Sequence, residues 1–338
     1  MDIVIKNNIM GAIKYIFVFV LFLITSCSNK MSKEATPFFF KINGMMKNSA
    51  EEISGMDWYK DNLCLLPENL NGYIFFINKA EFDSRINKTD TSAITPKKVR
   101  FITPDYKKII PGFDSFEAIA FRGHEVYLSI EVKFPDSMSC VFVRGHIDDK
   151  SLEITIPEQT LTTLDVPTYV DNLSYESLVV NNKKVYALFE TNGDNLIPNP
   201  YALSIGISGN EIQKHPITKI NYRITDATKI DKNNQFWAIN YFFPRDKKSL
   251  QPSKDLLIEK YGQGPTHRLS ERVERLVEYK INKNRIDLTN SPHIEIELEG
   301  EKISRNWEAI ARYENKGFLI ATDKYPKPST ILAFIPFN

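Results

Sequence analysis

A five-bladed β-propeller, an all-β fold, is what this sequence predicts, and three observations carry the prediction. After residue 37 the chain reads as strand almost throughout, in short β-branched and aromatic runs separated by Asn, Asp, Gly and Pro clusters. One hairpin template recurs five times. Two further strands follow most of the hairpins, and four antiparallel strands per repeat is the unit of a propeller blade.

Before the repeats comes a different kind of segment. The apolar run Tyr15 to Ile24 follows Lys14 and ends at Thr25-Ser26-Cys27. At about half the length a membrane-spanning helix needs, it fits a secretory signal over residues 1–26. Ile24-Thr25-Ser26-Cys27 resembles a bacterial lipobox, which implies lipidation of Cys27 and a membrane partner held through that anchor. Ser28 stands where an Asp would signal inner-membrane retention, so the expected location is the cell envelope at the outer membrane. Residues 27–37 are polar and read as a tether, with residues 38–338 forming one propeller domain.

The hairpins follow in order. Ser54 to Glu68, Glu117 to Glu131, Glu176 to Glu190 and Asp226 to Asn240 each span 14 positions, and Glu308 to Asp323 spans 15. Each midpoint carries turn chemistry: Asp61-Asn62, Gly123-His124, Asn181-Asn182, Asp231 to Asn234, and Asn315-Lys316-Gly317. Third and fourth strands are expected at Tyr73–Ile77 and Val99–Ile102, Cys140–Val143 and Leu152–Ile156, and Ala202–Ile205 with a weaker strand near Ile212. Further on they are expected at Arg275–Tyr279 and His293–Glu297. The fifth repeat has only Ile331–Ile335 and then stops one strand short. Phe38–Ile42, at the other end of the chain, supplies the missing strand and closes the ring. The long step from Asp226 to Glu308 leaves six blades as the alternative count, and a two-sheet sandwich is the alternative architecture. That step holds an insertion at 244–275, in which Ser253 is placed to N-cap a helix over Lys254–Tyr261 with Gly262 just beyond its end.

In a propeller the first strand of every blade lines the axis. Ser54, Glu117, Glu176, Asp226 and Glu308 therefore converge, with Thr225 the alternative to Asp226. Their hairpin partners Glu68, Glu131, Glu190, Asn240 and Asp323 form a second ring near the same mouth. Clustered carboxylates cannot all stay ionised without a counter-charge. A hard cation such as Ca²⁺, which takes 6–8 oxygen ligands in loose geometry, resolves the conflict, and pairing with Arg122, Lys229, Arg305 or Arg312 is the alternative.

The Glu-Ala-Ile-Ala segments at Glu117 and Glu308, each followed by a strand ending in an acid, resemble the phytase-like (esterase-like) propellers of secreted bacterial proteins. The order Ser54, Glu117, Glu176, polar, Glu308 is also similar to the five-bladed calcium-activated apyrases. The resemblance implies an axial Ca²⁺ and hydrolysis of phosphate esters or anhydrides. Asn240 departs from the pattern, standing where an acid is usual. A non-catalytic binding or scaffold propeller, taking a small-molecule or glycan ligand, is the competing function, and glycoside hydrolysis by paired axial acids is a third.

Composition excludes other classes. Lys+Arg total 43 against Asp+Glu 42, a net charge of +1, which lacks the basic excess a nucleic-acid partner requires. Cys64 and Cys140 sit in apolar runs and read as buried free thiols. Gly262-Gln263-Gly264 runs into Pro265 and opens no dinucleotide loop. The five histidines are scattered along the chain, and Trp58, Trp237 and Trp307 read as inter-blade packing.

Overall fold

A computed structural model describes residues 32–44, 52–69, 72–181, 183–208, 211–300, 304–323 and 330–337. The expected signal segment and Cys27 lie outside the described residues. All five predicted hairpins form, and each is the inner half of a blade. Blade 1 runs outward through Ile53–Tyr59, Asn62–Pro67, Tyr73–Asn78 and Lys97–Ile102. Blade 2 has Phe113–Arg122, Glu125–Phe134 and Ser137–Ile147, with the short strands Ile154–Thr155 and Thr162–Asp165 both paired to the third. Blade 3 comprises Tyr175–Val180, Lys184–Phe189, Tyr201–Gly206 and Ile212–Pro216. Blade 4 comprises Ile220–Ala227, Gln235–Phe242, Val273–Ile281 and Ile294–Ile296.

Blade 5 is built from both ends of the chain. Trp307–Tyr313, Gly317–Thr322 and Leu332–Pro336 are completed by Phe38–Phe39, with Phe38 opposite Phe334 and Phe39 opposite Ala333. The count is five. The long interval before Glu308 carries decoration, since its two short helices, Lys247–Leu250 and Leu256–Tyr261, lie between the second and third strands of blade 4.

Period-2 strands buried on both faces need apolar residues on both, and the core is accordingly divided between blades. One cluster joins Leu66 and Phe101 of blade 1 to Phe116 and Val143 of blade 2. Others join blades 2 and 3 (Phe142 with Phe189), 3 and 4 (Leu188 with Phe236), 4 and 5 (Ile239 with Ile320), and 5 and 1 (Leu319 with Leu65). The clusters thus follow one another around a closed ring. Each tryptophan serves such a contact. Trp58 Nε1 donates to Arg312 O at 2.8 Å, Trp307 Nε1 to Glu274 Oε2 at 2.6 Å, and Trp237 packs on Phe318 with ring centres 5.4 Å apart. Cys64 and Cys140 are free and buried.

Three expectations are corrected, and one element is added. Residues 32–37, read as part of the tether, belong to the folded body: Glu34–Ala35 pairs in parallel with Glu295 and Ile296. The helical insertion is capped by Asp255, whose side chain accepts from Leu257 N and Ile258 N, because the helix begins at Leu256 and Ser253 lies too far upstream. Gly262 does end it, at φ +87°. The strand expected over Leu152–Ile156 shrinks to Ile154–Thr155, since Leu152 turns at φ +64°. Finally, Lys79–Ile86 forms a helix that the strand-by-strand reading passed over, capped by Asn78 Oδ1 accepting from Ala80 N. No helix among the described residues is long and apolar enough to cross a membrane.

Candidate axial site

Every inner strand is irregular at the same place. Its pairing with the second strand slips between Ile53 and Gly55, Phe116 and Ala118, Tyr175 and Ser177, Ile224 and Ala227, and Trp307 and Ala309. Each slip is a β-bulge, which leaves an extra residue unpaired and re-aims its side chain. The bulged residues are Ser54, Glu117, Glu176 and Glu308, with the pair Thr225-Asp226 in blade 4. The recurring polar residue is thus also the recurring backbone defect.

Four of these five positions, joined by three of the second ring, line one cavity of about 240 Å³ at the axis. Its wall includes Ser54, Glu68, Asp114, Ser115, Glu117, Glu131, Glu176, Arg223, Asn306, Glu308 and Asp323. Glu190 is fully buried and reaches the same cluster through Arg223.

Blade 4 departs from the expectation. Asp226 does not line the cavity: Oδ1 accepts from Ala227 N at 2.8 Å and Oδ2 from Ile310 N at 2.7 Å, so its carboxylate stitches blade 4 to blade 5. Asp57 stitches blade 1 to blade 2 in the same way, accepting from Phe121 N at 2.7 Å. The two-residue bulge puts Thr225 in the ring register instead. Thr225 Oγ1 donates to Trp307 O at 2.6 Å, the counterpart of Ser54 Oγ donating to Phe116 O at 2.7 Å. Replacing Asp226 with Ala leaves two buried amides unpaired and should lower stability by about 2–5 kcal/mol. The check is a lower denaturant midpoint for the variant.

Asn240 also stays out of the cavity. Its Nδ2 donates to Asn221 O at 2.8 Å and Arg223 O at 3.1 Å, while Oδ1 accepts from Arg275 Nε at 2.8 Å. It therefore holds the backbone that presents Arg223, a basic residue of the cavity wall that has no place in the repeat pattern. Tyr222, the residue before it, sits at φ +75°, a strained conformation for an aromatic side chain. Beyond Phe189 the blade 3 chain continues onto blade 4, with Thr191 opposite Arg223, and this brings Glu190 alongside. Arg223 Nε donates to Glu190 Oε1, and Nη2 lies 3.7 Å from both Glu176 Oε1 and Glu308 Oε1. The expected alternatives lie elsewhere: Arg122 pairs with Glu125, Lys229 with Asp57, Arg305 with Glu274, and Arg312 with Asp231.

One guanidinium does not balance this many acids. Burial pushes Glu117 up to about 7 and Glu131 to about 9, with Glu190 repelling the first and Glu117 the second. Glu68 rises to about 10, from burial first and then its neighbours Glu117 and Glu52. Burial raises Glu176 and Glu308 as well, against the pull of Arg223. Glu176 and Glu190 are within hydrogen-bond reach of one another, so that a single proton can bridge them. Their Oε2 atoms are buried with no donor.

The larger opening, about 610 Å³, lies at the hairpin-turn end between blades 1, 4 and 5, lined by Asp57, Trp58, Lys229, Lys232 and Arg312 among others. Basic and acidic groups alternate there, and Lys229 and Arg312 are already paired. The axial cavity is the unbalanced one.

Fold and site together define a five-bladed β-propeller with a buried acidic cavity on its axis. Solved structures of similar fold include several glycoside-hydrolase-family enzymes. A GH43 endo-arabinanase from Bacillus licheniformis superposes with a TM-score of 0.48 at 7% identity, covering 87% of this chain and 95% of that one. A GH43_1 enzyme from Xanthomonas citri gives 0.46 at 8%, covering 88% and 91%, and the catalytic domain of a Coprinopsis cinerea GH62 α-L-arabinofuranosidase gives 0.45 at 9%, covering 91% and 98%. The likeness is one of architecture. No family model and no curated protein matches the chain.

Proposed function

We propose that this is a binding propeller of the cell envelope whose axial cavity takes up a hard divalent cation of the Ca²⁺ type. Buried, donor-less Oε2 atoms on Glu176 and Glu190 carry the reading, because a buried carboxylate oxygen demands a proton, a donor or a cation. Hard oxygen donors suit Ca²⁺. Among the described residues no three axial acid groups bring oxygens within 4.8 Å of one another, so the cation would keep part of its water shell. Glu176 and Glu190 would hold it, Glu117 and Glu308 would face it, and the ion would supply charge neutralisation across blades 2, 3 and 5. Lipidation at Cys27 would place the propeller at the outer membrane.

Hydrolysis of phosphate esters is the less favoured use of the cavity. Among the described residues Arg223 is the one basic residue in its wall, and an incoming phosphate would meet a surround of carboxyls. Among the described residues the wall shows no aromatic side chain for stacking a sugar, and about 240 Å³ is below the usual range for ligand sites. One observation does favour acid–base chemistry: Glu117, held near 7, titrates where a general acid or base operates.

Calorimetric titration of the chelator-treated protein with Ca²⁺ tests the proposal. One ion per chain is expected, with binding abolished by Glu176→Gln/Glu190→Gln. A ligand specific to the folded state at a hundredfold excess over its Kd adds about 2.7 kcal/mol of stability. Absence of heat and of any melting shift in millimolar Ca²⁺ would remove the cation. Turnover of glycosides insensitive to chelator would then favour the paired carboxylates as catalysts.

A further inference from the structure

A second cluster of ionisable groups lies far from the axis, where the N-terminal segment crosses the edge of blade 4. We propose that Glu34, His267, His293 and Glu295 form a transition-metal site of the Zn²⁺ class that fastens this segment to the propeller. The residues come from three separate stretches of sequence, which is why the scattered histidines gave no signal.

Ligand atoms of Glu34, His267 and Glu295 all lie within 4.8 Å of one another. His267 Nδ1 is 2.8 Å from Glu34 Oε1. Glu295 Oε2 accepts from Ser32 Oγ at 2.6 Å and Gly264 N at 2.5 Å, which leaves Oε1 facing His293 Nε2 at 3.5 Å. The independent observation is His293 itself. Its side chain is 1% exposed, and neither ring nitrogen has a hydrogen-bond partner. A buried imidazole whose Nδ1 is unpartnered and whose Nε2 faces a carboxylate can take either a proton or a metal. Two nitrogens and two carboxylate oxygens form a donor set that Zn²⁺ accepts in tetrahedral geometry and that Ca²⁺ and Mg²⁺, which favour all-oxygen shells, do not. Its charge also offsets the two carboxylates.

The loop is shaped for this cluster. A side chain at position 264 would place its Cβ 2.3 Å from Glu34 Cγ, so only glycine lets Glu34 reach in. That gives the Gly262-Gln263-Gly264 stretch a purpose unrelated to nucleotides. Thr266 N and His267 N both donate to Glu34 Oε1, at 3.0 and 3.1 Å, which supports the carboxylate from behind.

His267 must change tautomer on loading. As it stands, Nδ1–H donates to Glu34 and Nε2 accepts from Glu274 N at 3.3 Å. Coordination through Nδ1 moves the proton to Nε2, and the long Glu274 contact gives way. Because Glu34–Ala35 pairs with blade 4 and Phe38–Phe39 closes blade 5, an ion here would couple the edge of one blade to the completion of the next.

Co²⁺ is the probe, used on untagged full-length protein freed of metal by chelator. Visible absorption typical of tetrahedral Co²⁺ is expected to saturate at one ion per chain and to be displaced by one equivalent of Zn²⁺. His293→Ala and His293→Gln remove a side chain whose one polar contact is the 3.5 Å approach to Glu295, so both should fold, as circular dichroism would verify, and both should weaken binding at least a hundredfold. Glu176→Gln/Glu190→Gln should leave the spectrum intact, which separates this site from the axial one. Folded wild-type protein that shows no such bands, or a His293 variant that binds as well as wild type, would overturn the proposal and leave the cluster as a proton-held clasp.

Discussion

Lowering the pH from 8 to 5 is expected to raise the melting temperature of the metal-free protein, the reverse of ordinary acid denaturation. An unfolded glutamate titrates near 4.3. In the folded chain burial and mutual repulsion hold Glu117 near 7 and Glu131 near 9. Between those values the folded state binds more protons than the unfolded state, so stability falls as pH rises. The contribution is complete below about 4.5 and is lost as pH climbs through 7 and then 9. Acids shifted the other way, such as Asp83, Asp148 and Asp149, are largely exposed and act below pH 4, outside this window. Each pKa unit corresponds to about 1.4 kcal/mol, so the axial glutamates together should move the melting point by roughly 5 °C or more. Calorimetry in chelator from pH 5 to 8 measures it. Glu117→Gln should flatten the profile, and a melting point that rises with pH across this range would show that the cluster stays ionised.

Loss of Arg223 should be the most damaging single substitution at the axis. Its guanidinium contacts carboxylates from blades 3 and 5, and it is held charged against burial by Glu190, Glu308 and Glu176. Breaking a buried pair by removing one partner costs about 3–5 kcal/mol, because the other charge is stranded. Arg223→Met is therefore expected to unfold at a much lower denaturant concentration at pH 8. At pH 5, where the glutamates take up protons, the difference should shrink. Adding Glu190→Gln to Arg223→Met should recover part of the loss, and a double-mutant cycle reads the coupling directly. Equal destabilisation at both pH values would show that Arg223 acts through packing alone.

The hairpins were legible because they repeat: turn residues and apolar alternation agree in five places, and the strands formed where those signals met. The axial positions of Glu117, Glu176 and Glu308 were legible for the same reason. Blade 4 misled because its bulge holds two residues, so counting 14 back from Asn240 lands on Asp226, one position past the ring residue Thr225. Arg223 was hidden because it has no counterpart in the other blades. Its inward aim comes from a positive φ at Tyr222 and from Thr191–Asn192 crossing between blades, neither of which follows from local propensity. The helix at Lys79–Ile86 carries an Asn cap and a single buried residue, Phe82, too weak a pattern to stand out between strands.

Closing the ring with Phe38–Phe39 against Leu332–Pro336 has a kinetic consequence. The two partners lie about 300 positions apart, so no ribosome or translocon can deliver the finished circle until nearly the whole chain has emerged. Until then the earlier blades form an open arc whose final edge has no mate. Long-range strand pairing of this kind is slow and leaves hydrophobic surface exposed while it waits. Once joined, the contact covers the outer edge of Leu332–Pro336, which would otherwise be left without a mate. Ring closure is therefore expected to come last in the assembly of this protein.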